Sequence, residues 1–402
     1  MNRLRFLTAG ESHGPALSAI LEGMPAGLEL CEEDIKRDLR RRQRGYGRGG
    51  RMKIEKDHAR ITAGVRYGRT LGGPISLFLE NRDWPNWLEK MSATPVENPA
   101  EPLQMPRPGH ADFAGMIKYR QNDLRNILER SSARETTMRV AVGAIAKKLL
   151  QEFGIEIHGH VIRIGSVVSG ITAMDEKSGL SGKSKIDLAK WKELVDKVET
   201  SEMACADEQS TKEMMLLVDE AQKRGDTLGG KFELVATGVP IGLGSHVHWD
   251  RRLDGIIGGA MLSINAMKSV EIGLGDGVAE TPGSKVHDEI FYNEDKGYFR
   301  SHNNAGGIEG GMTNGEPIVV RVSMKPLPTL VRALQSVDTG TRLPMQAHHE
   351  RSDVCAVPAA VVVGEAMLAF VLANALMEKA GGDSIDEMKR NFAEWPDVPM
   401  GW

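Results

Sequence analysis

Two histidines, a run of arginines and a pair of serines have the residue types and neighbours that proton transfer and anion binding require. His13 stands in Gly10-Glu11-Ser12-His13-Gly14, and His110 in Arg107-Pro108-Gly109-His110-Ala111-Asp112. Imidazole titrates near neutrality, so either ring suits a proton exchanged during a reaction. Between Lys36 and Arg51, eight of sixteen residues are Lys or Arg. Glycines interleave the later ones, so Arg42, Arg44, Arg48 and Arg51 can converge, and guanidinium forks grip carboxylate and phosphate in pairs. Two other readings of this run stay open: a solvated basic face, or an RNA-binding Arg/Gly segment, Arg44-Gly45-Tyr46-Gly47-Arg48-Gly49-Gly50. A formal net charge of −4 argues against polyanion binding by the molecule as a whole.

The segment Arg130-Ser131-Ser132-Ala133-Arg134-Glu135 precedes a strongly periodic helix. Ser132 and Glu135 fit a capping box, and a helix N-terminus offers free N–H groups to an anion. Further on lie the glycine loop Asn303 to Gly311, then Lys325-Pro326-Leu327-Pro328-Thr329, then Glu350-Arg351-Ser352-Asp353. The glycine loop lacks a strand–GxGxxG–helix setting, and no GxxxxGK[ST] occurs, so neither a Rossmann site nor a P-loop is expected. His246-Val247-His248 has strand spacing that puts both rings on one face, but no third ligand is evident, so no metal site is expected. Unaided, these residues describe an enzyme that binds a multiply anionic small molecule and uses histidine acid–base groups.

The elements that must position them alternate. Period-two patterning predicts strands near Arg5–Thr8, Met52–Thr62, Pro74–Glu80, Lys231–Gly238 and Pro317–Ser323. Helical spacing predicts helices at Glu33–Arg44, from Ser132 to Gly154, at Ile186–Val198, Thr211–Arg224, Leu253–Lys268 and Pro358–Lys379. The last is apolar enough to suggest a membrane span, but Glu365 and Asn374 mark it as a buried core helix. Asp83–His110, with six prolines and two Trp, reads as an extended or lid-like loop. Three dispersed cysteines among 402 residues fit neither a disulfide framework nor a Cys-based zinc site and point to a reducing, cytoplasmic setting. The N-terminal residues lack the apolar stretch of a signal peptide. An internal echo joins Gly23-Met24-Pro25-Ala26-Gly27-Leu28 to Gly238-Val239-Pro240-Ile241-Gly242-Leu243. Gly72-Gly73-Pro74-Ile75 likewise echoes Gly315-Glu316-Pro317-Ile318, which suggests two similar β-rich halves.

In order along the chain, these segments resemble the chorismate synthase family. The pieces are Gly10–Gly14, Arg41–Gly49, Arg107–Asp112, Arg130–Thr136, Ser263-Ile264-Asn265-Ala266, Asn304–Gly311, Lys325-Pro326 and Arg351-Ser352-Asp353. The resemblance implies an α+β fold, a β-α-β sandwich of two pseudo-equivalent halves, with residues 1–402 as a single domain in a homotetramer. It implies a phosphate-eliminating lyase that turns 5-enolpyruvylshikimate 3-phosphate into chorismate with reduced FMN. NADPH is a possible reductant and an external flavin reductase a possible partner; neither nucleic acid nor membrane is expected. It carries flavin contacts onto Arg130, Ser131, Ser132, Asn265, Ala266, Gly310, Lys325, Pro326, Leu327, Pro328, Thr329 and Arg351. It carries substrate or NADP contacts onto Arg42, Arg48, Arg51, Arg107 and Arg134. In the mechanism it implies, His13 protonates the departing phosphate, His110 stabilises the reduced flavin, and Asp353 helps take a proton from it. The remaining alternatives are the RNA-binding reading and a flavin-independent phosphoester lyase or isomerase.

Overall fold

The computed structural model describes residues 3–49, 55–174, 188–294, 297–350 and 352–394. In the first half, β1 (Arg5–Ala9) and β2 (Ala16–Glu22) flank the His13 turn, and α1 (Glu32–Gln43) follows. Then come β3 (Arg60–Ala63), the hairpin β4 (Val65–Arg66) and β5 (Arg69–Thr70), and β6 (Ile75–Glu80). The proline-rich loop leads to α2 (Asp112–Tyr119), α3 (Arg125–Ser131) and α4 (Thr136–Gln151). The second half holds β7 (Glu156–Ile164), β8 (Val167–Val168), α5 (Leu188–Thr200), α6 (Glu208–Lys223), β9 (Gly230–Thr237), α7 (Leu253–Leu262) and β10 (Met267–Ile272). After α8 (Gly283–Val286) come the hairpins β11–β12 (Ile290–Asn293, Gly297–Arg300) and β13–β14 (Ile308–Glu309, Met312–Thr313). The chain closes with β15 (Ile318–Met324), β16–β17 (Gln335–Val337, Pro344–Gln346), α9 (Val357–Ala380) and α10 (Ile385–Ala393).

The expected duplication is present in the hydrogen bonding. The two sheets share one plan, β1-β2-β6-β3 and β7-β9-β15-β10, with β8 added beside β7, and every pairing is antiparallel. The echoed glycine turns close the same way. Thr70 Oγ1 donates to Pro25 O at 2.6 Å and accepts from Leu28 N at 3.0 Å. Thr313 Oγ1 donates to Pro240 O at 2.6 Å and accepts from Leu243 N at 2.8 Å. Gly27 and Gly242 both take positive φ, 88° and 91°, a conformation glycine reaches without a Cβ clash.

Alternation buries one face of each sheet. Leu17, Ala19 and Leu21 of β2 and Ile75, Leu77 and Leu79 of β6 turn inward, as do Phe232, Leu234 and Ala236 of β9. Between the sheets run α1, α4, α7 and α9, whose apolar side chains join both sheets in one core. Helices α4 and α9 pack closely at Gly143, where an added Cβ would lie 2.5 Å from the Ala366 Cα. Helix α9, long and apolar enough to span a membrane, is instead buried in this core, as its Glu365 foretold.

Three expectations need correction. The helix expected over Leu253–Lys268 stops at Leu262; Ala266 takes φ +69° and turns the chain into β10. Ser132 does not cap α4 through a capping box. Its Oγ accepts from Arg134 N in a short 3-10 turn, while Glu135 pairs with Arg139. Of the strand expected over Met52–Thr62, residues 52–54 lie outside the described residues, 55–59 are irregular, and Arg60–Ala63 pair with β6.

Candidate active site

The turn between β1 and β2 hangs on one residue of α3. Ser12 N donates to Glu129 O at 3.0 Å, and His13 N to Glu129 Oε2 at 2.8 Å. The His13 Nδ1 lies 2.9 Å from Glu129 Oε1. Trp87, from the proline-rich loop, stacks on the imidazole with centroids 3.9 Å apart and planes 22° apart. Arg125 pairs with Glu129 at 3.0 Å and sits 5.1 Å over Trp87. Ser132 Oγ donates to Ser12 Oγ at 3.2 Å, which brings the serine pair to the same turn.

His110 is held in a parallel manner. Its Nδ1 makes a short hydrogen bond to Asp112, and Arg107 Nε donates to the same carboxylate at 2.8 Å. Arg107 Nη1 also donates to Thr329 Oγ1 at 3.1 Å. Burial pushes the Asp112 carboxyl up, but the hydrogen bonds from His110 and Arg107 outweigh it and hold the group below the ordinary carboxylate range. Glu350 lies within 3.4 Å of His348 and 3.6 Å of Arg125, and its carboxylate is 4.0 Å from Arg107. Burial raises its pKa, yet the His348 bond and the two arginines bring it to about 2. Glu350 thus links the surroundings of the two histidines.

The arginines gather behind the serines. Helix α1 delivers Arg42, whose Nη2 donates to Ala133 O and Thr136 Oγ1, both at 2.9 Å. Its Nη1 is buried without a hydrogen bond among the described residues, 3.7 Å from Asp57 Oδ2. Burial, joined by the like charges of Arg48 and Arg134, pulls the guanidinium down to about 10 despite Asp57. Arg134 is wholly enclosed: it donates to Asp57 at 2.6 Å and to Asn81 Oδ1 at 2.9 and 3.1 Å, with Glu55 at 3.4 Å. Asn81 Nδ2 in turn donates to Gly14 O at 2.8 Å, which ties this group to the His13 turn. Arg48 pairs with Asp353 at 2.7 Å, and Gly49 N donates to the other Asp353 oxygen at 2.6 Å.

A fourth group lines the far end of α3. Arg130 Nη2 donates to Thr8 O at 3.0 Å, and Ser131 O accepts from Asn265 Nδ2 at 3.0 Å. The Asn265 Oδ1 is buried with no partner among the described residues. Ala266 O accepts from Lys325 N at 3.0 Å, and Lys325 Nζ donates to Gly109 O at 2.6 Å, beside His110. Burial and neighbouring Lys268 lower the Lys325 ammonium pKa. Leu327 O accepts from Thr227 at 2.8 Å, between Pro326 and Pro328. Gly310 forms the β13–β14 turn with open space where a Cβ would stand. Arg51 and Arg351 lie outside the described residues.

The structure therefore brings His13, His110, Arg42, Arg48, Arg107, Arg134, Asp353, Ser132, Asn265 and Lys325 into one linked network. His246 and His248 do not join it: they lie in an irregular exposed segment rather than a strand, and His248 pairs with Asp250 at 2.7 Å. The RNA-binding reading of the Arg/Gly segment is not supported: Arg48 turns inward onto the half-buried Asp353, and Arg41 and Arg42, just before the segment, turn onto buried carboxylates. Sequence reasoning missed Glu129, Asp57, Glu55, Asn81 and Trp87. Only Glu129 carried a local hint, its place directly before Arg130.

Comparison with known proteins agrees with this arrangement. The family profile described as chorismate synthase matches residues 4–377. The chorismate synthase of Aquifex aeolicus is 58% identical over 393 residues, 98% of this chain and 97% of that one. That of Desulforamulus reducens is 54% identical over 393 residues, 98% of each. A crystal structure of a chorismate synthase superposes with a TM-score of 0.77 at 48% identity, covering 97% of this chain and 96% of that one. With full-length relatives above half identity and a shared β-α-β sandwich, the chain belongs to the chorismate synthase family, lyases of the shikimate pathway that release phosphate from 5-enolpyruvylshikimate 3-phosphate.

Proposed function

We propose that the network built on His13, His110 and the converging arginines is where the chain performs this elimination with reduced FMN, working in the cytoplasm as a homotetramer. The observation that carries the reading is the pairing of two histidines, each on a buried carboxylate, with a group of cations drawn from distant parts of the chain. The ester bears two carboxylates and a phosphate, and a dry pocket must compensate them, since each unpaired buried ion costs several kcal/mol. Arg42 and Arg48 are the cations best suited to the ester or to NADP. Arg42 is buried and its Nη1 has no hydrogen bond among the described residues, so an arriving anion restores what burial removed. Arg51 and Arg107 supplement them. Arg134, fully engaged by Asp57 and Asn81, serves mainly to hold the arginine group together.

The residues fit a flavin. Asn265 Oδ1 is a buried acceptor awaiting a donor such as a ring N–H, Lys325 is a cation depressed by burial, and Gly310 leaves room for a flat ring. Arg130, Ser131, Ser132, Asn265, Ala266, Gly310, Lys325 through Thr329 and Arg351 would hold it. When bound, reduced FMN would lend an electron and recover one together with the carbon 6 hydrogen, so that phosphate leaves with no net redox change. His13 holds the proton for the departing phosphate. His110, fixed by Asp112, would stabilise the reduced flavin as a hydrogen-bond donor. Asp353, steadied by Arg48 and Gly49 N, accepts a proton. NADPH or an external reductase would supply the reduced flavin.

The test is an anaerobic assay with the enolpyruvyl ester and chemically reduced FMN, run with and without NADPH. Chorismate formation that needs reduced flavin supports the reading, and activity from NADPH with oxidised FMN assigns the reductase function to the chain itself. Full activity without any flavin favours a flavin-independent lyase. His13→Ala and His110→Ala are each expected to slow phosphate release by about ten- to ten-thousand-fold; unchanged turnover in both would remove them from the mechanism.

A further inference from the structure

We infer that Glu129 is the positioning residue that makes His13 a proton donor: its carboxylate fixes the ring with Nδ1 protonated and assigns transfer to Nε2. The inference rests on the reading of His13 given above and names what that reading lacks, the group that sets the ring's tautomer and orientation.

Glu129 is 2% exposed, near the end of α3. A carboxylate so deep must be compensated, and its partners are the His13 backbone N, the His13 ring and Arg125. Both oxygens and the main-chain carbonyl of this one residue are spent on the Ser12-His13 turn. An ionised carboxylate only accepts, so His13 Nδ1 must donate. Nε2 is then the atom that carries the exchangeable proton in the imidazolium and the lone pair in the neutral ring. The Trp87 stack covers one ring face and opposes rotation out of that geometry. Trp87 is itself anchored, its Nε1 donating to Asp83 Oδ2 at 3.1 Å.

Around the ring stand charged groups of both signs: Glu129 itself, Arg125 on the same helix, Glu350 behind Arg125, and Glu11 of the His13 turn. In the step itself the Nε2–H bond breaks and an O–H bond forms on the phosphate as the carbon–oxygen bond opens, its electrons leaving with the phosphate. The ring is left neutral and is recharged from solvent.

The experiment compares Glu129→Gln, Glu129→Asp, His13→Ala and the His13→Ala/Glu129→Gln double variant in the reduced-FMN assay. Gln keeps the shape but has one acceptor oxygen for three donors, the His13 backbone N, the His13 ring and Arg125, and no charge. We expect Glu129→Gln to lower kcat by about 10- to 100-fold, within the range of lost acid–base assistance, with KM nearly unchanged. Glu129→Asp should fall between. The double variant should be no slower than His13→Ala, since a residue that acts only through His13 has nothing left to lose. In 15N-histidine NMR spectra of the free protein, the His13 signal, assigned by its loss in His13→Ala, should report the Nδ1–H tautomer in the wild type and a mixture in Glu129→Gln. Wild-type kcat in Glu129→Gln beside an impaired His13→Ala overturns this inference and leaves the reading of His13 standing. Unimpaired His13→Ala overturns both. Additive losses in the double variant, or an unchanged tautomer, reduce Glu129 to a structural role and overturn it as well.

Discussion

Arg42 and Asp112 show how burial decides what a charged residue can do. Arg42 has lost water around its guanidinium and faces two further arginines with only part of the compensation it needs. Arg42→Ala is expected to raise KM for the ester at least tenfold, because one bidentate charge contact is worth about 1.5–3 kcal/mol; an unchanged KM would separate it from substrate. Asp112 is the reverse case, a carboxylate held ionised by His110 and Arg107. Asp112→Asn should lower kcat and, by stranding buried Arg107, destabilise the fold by about 3 kcal/mol in urea titrations. The residue types of this site were legible in the sequence, since His, Arg and paired Ser announce acid–base and anion chemistry. Their carboxylate partners were not. The chain has 55 acidic residues, and nothing local marks which few the fold will bury against a histidine. Glu129 meets His13 across 116 positions, and Asp57 meets Arg134 across 77.

Helix α1 shows how an element aims its side chains. Successive residues point about 100° apart on a helix, so Arg41 and Arg42 face different partners. Arg42 reaches the start of α4, while Arg41 reaches Glu365 in the middle of α9. Glu365 is fully buried and also accepts from Lys147 at 2.6 Å and from Gly159 N at 2.8 Å; Lys147 reaches Asp38 at 2.7 Å. Desolvation opposes ionisation there, but Arg41 and Lys147 hold Glu365 well below its usual pKa. Glu365→Ala removes the carboxylate shared by buried Arg41 and Lys147, leaves only Asp38 and Glu199 to compensate them, and should cost about 3–5 kcal/mol. The pH dependence has a definite sign. Glu365 and Glu350 bind protons less readily folded than unfolded, so their contribution is complete above the ordinary value of 4.5. It is lost as pH falls, for Glu350 between 4.5 and about 2. Urea midpoints measured across that range should decline steadily. Periodicity identified α1, α4 and α9 because their buried faces are continuous. It overran α7, because Asn265-Ala266 reads as helix and only the folded turn forces Ala266 to positive φ.

For the whole molecule, the duplicated plan places two sheets outside a shared helical layer, while the residues proposed for catalysis occur mainly in the segments that differ between halves. The proline-rich loop, α2 and α3 follow β6 in the first half and have no helical counterpart after β15. The repeat was legible from two glycine turns because such turns demand particular residues, whereas β7, whose burial is nearly continuous, lacked the alternation that marks a half-buried strand. Thr70→Ala and Thr313→Ala each remove the equivalent clasp of one half. Each should cost about 1–3 kcal/mol, and with no shared partners the two losses should add within about 0.5 kcal/mol. The most direct test of the functional account measures both products in one sealed anaerobic reaction of the purified chain, the enolpyruvyl ester and pre-reduced FMN. The account predicts equal amounts of chorismate and phosphate with the flavin still reduced at the end. Phosphate without chorismate, or stoichiometric oxidation of the flavin, would contradict it.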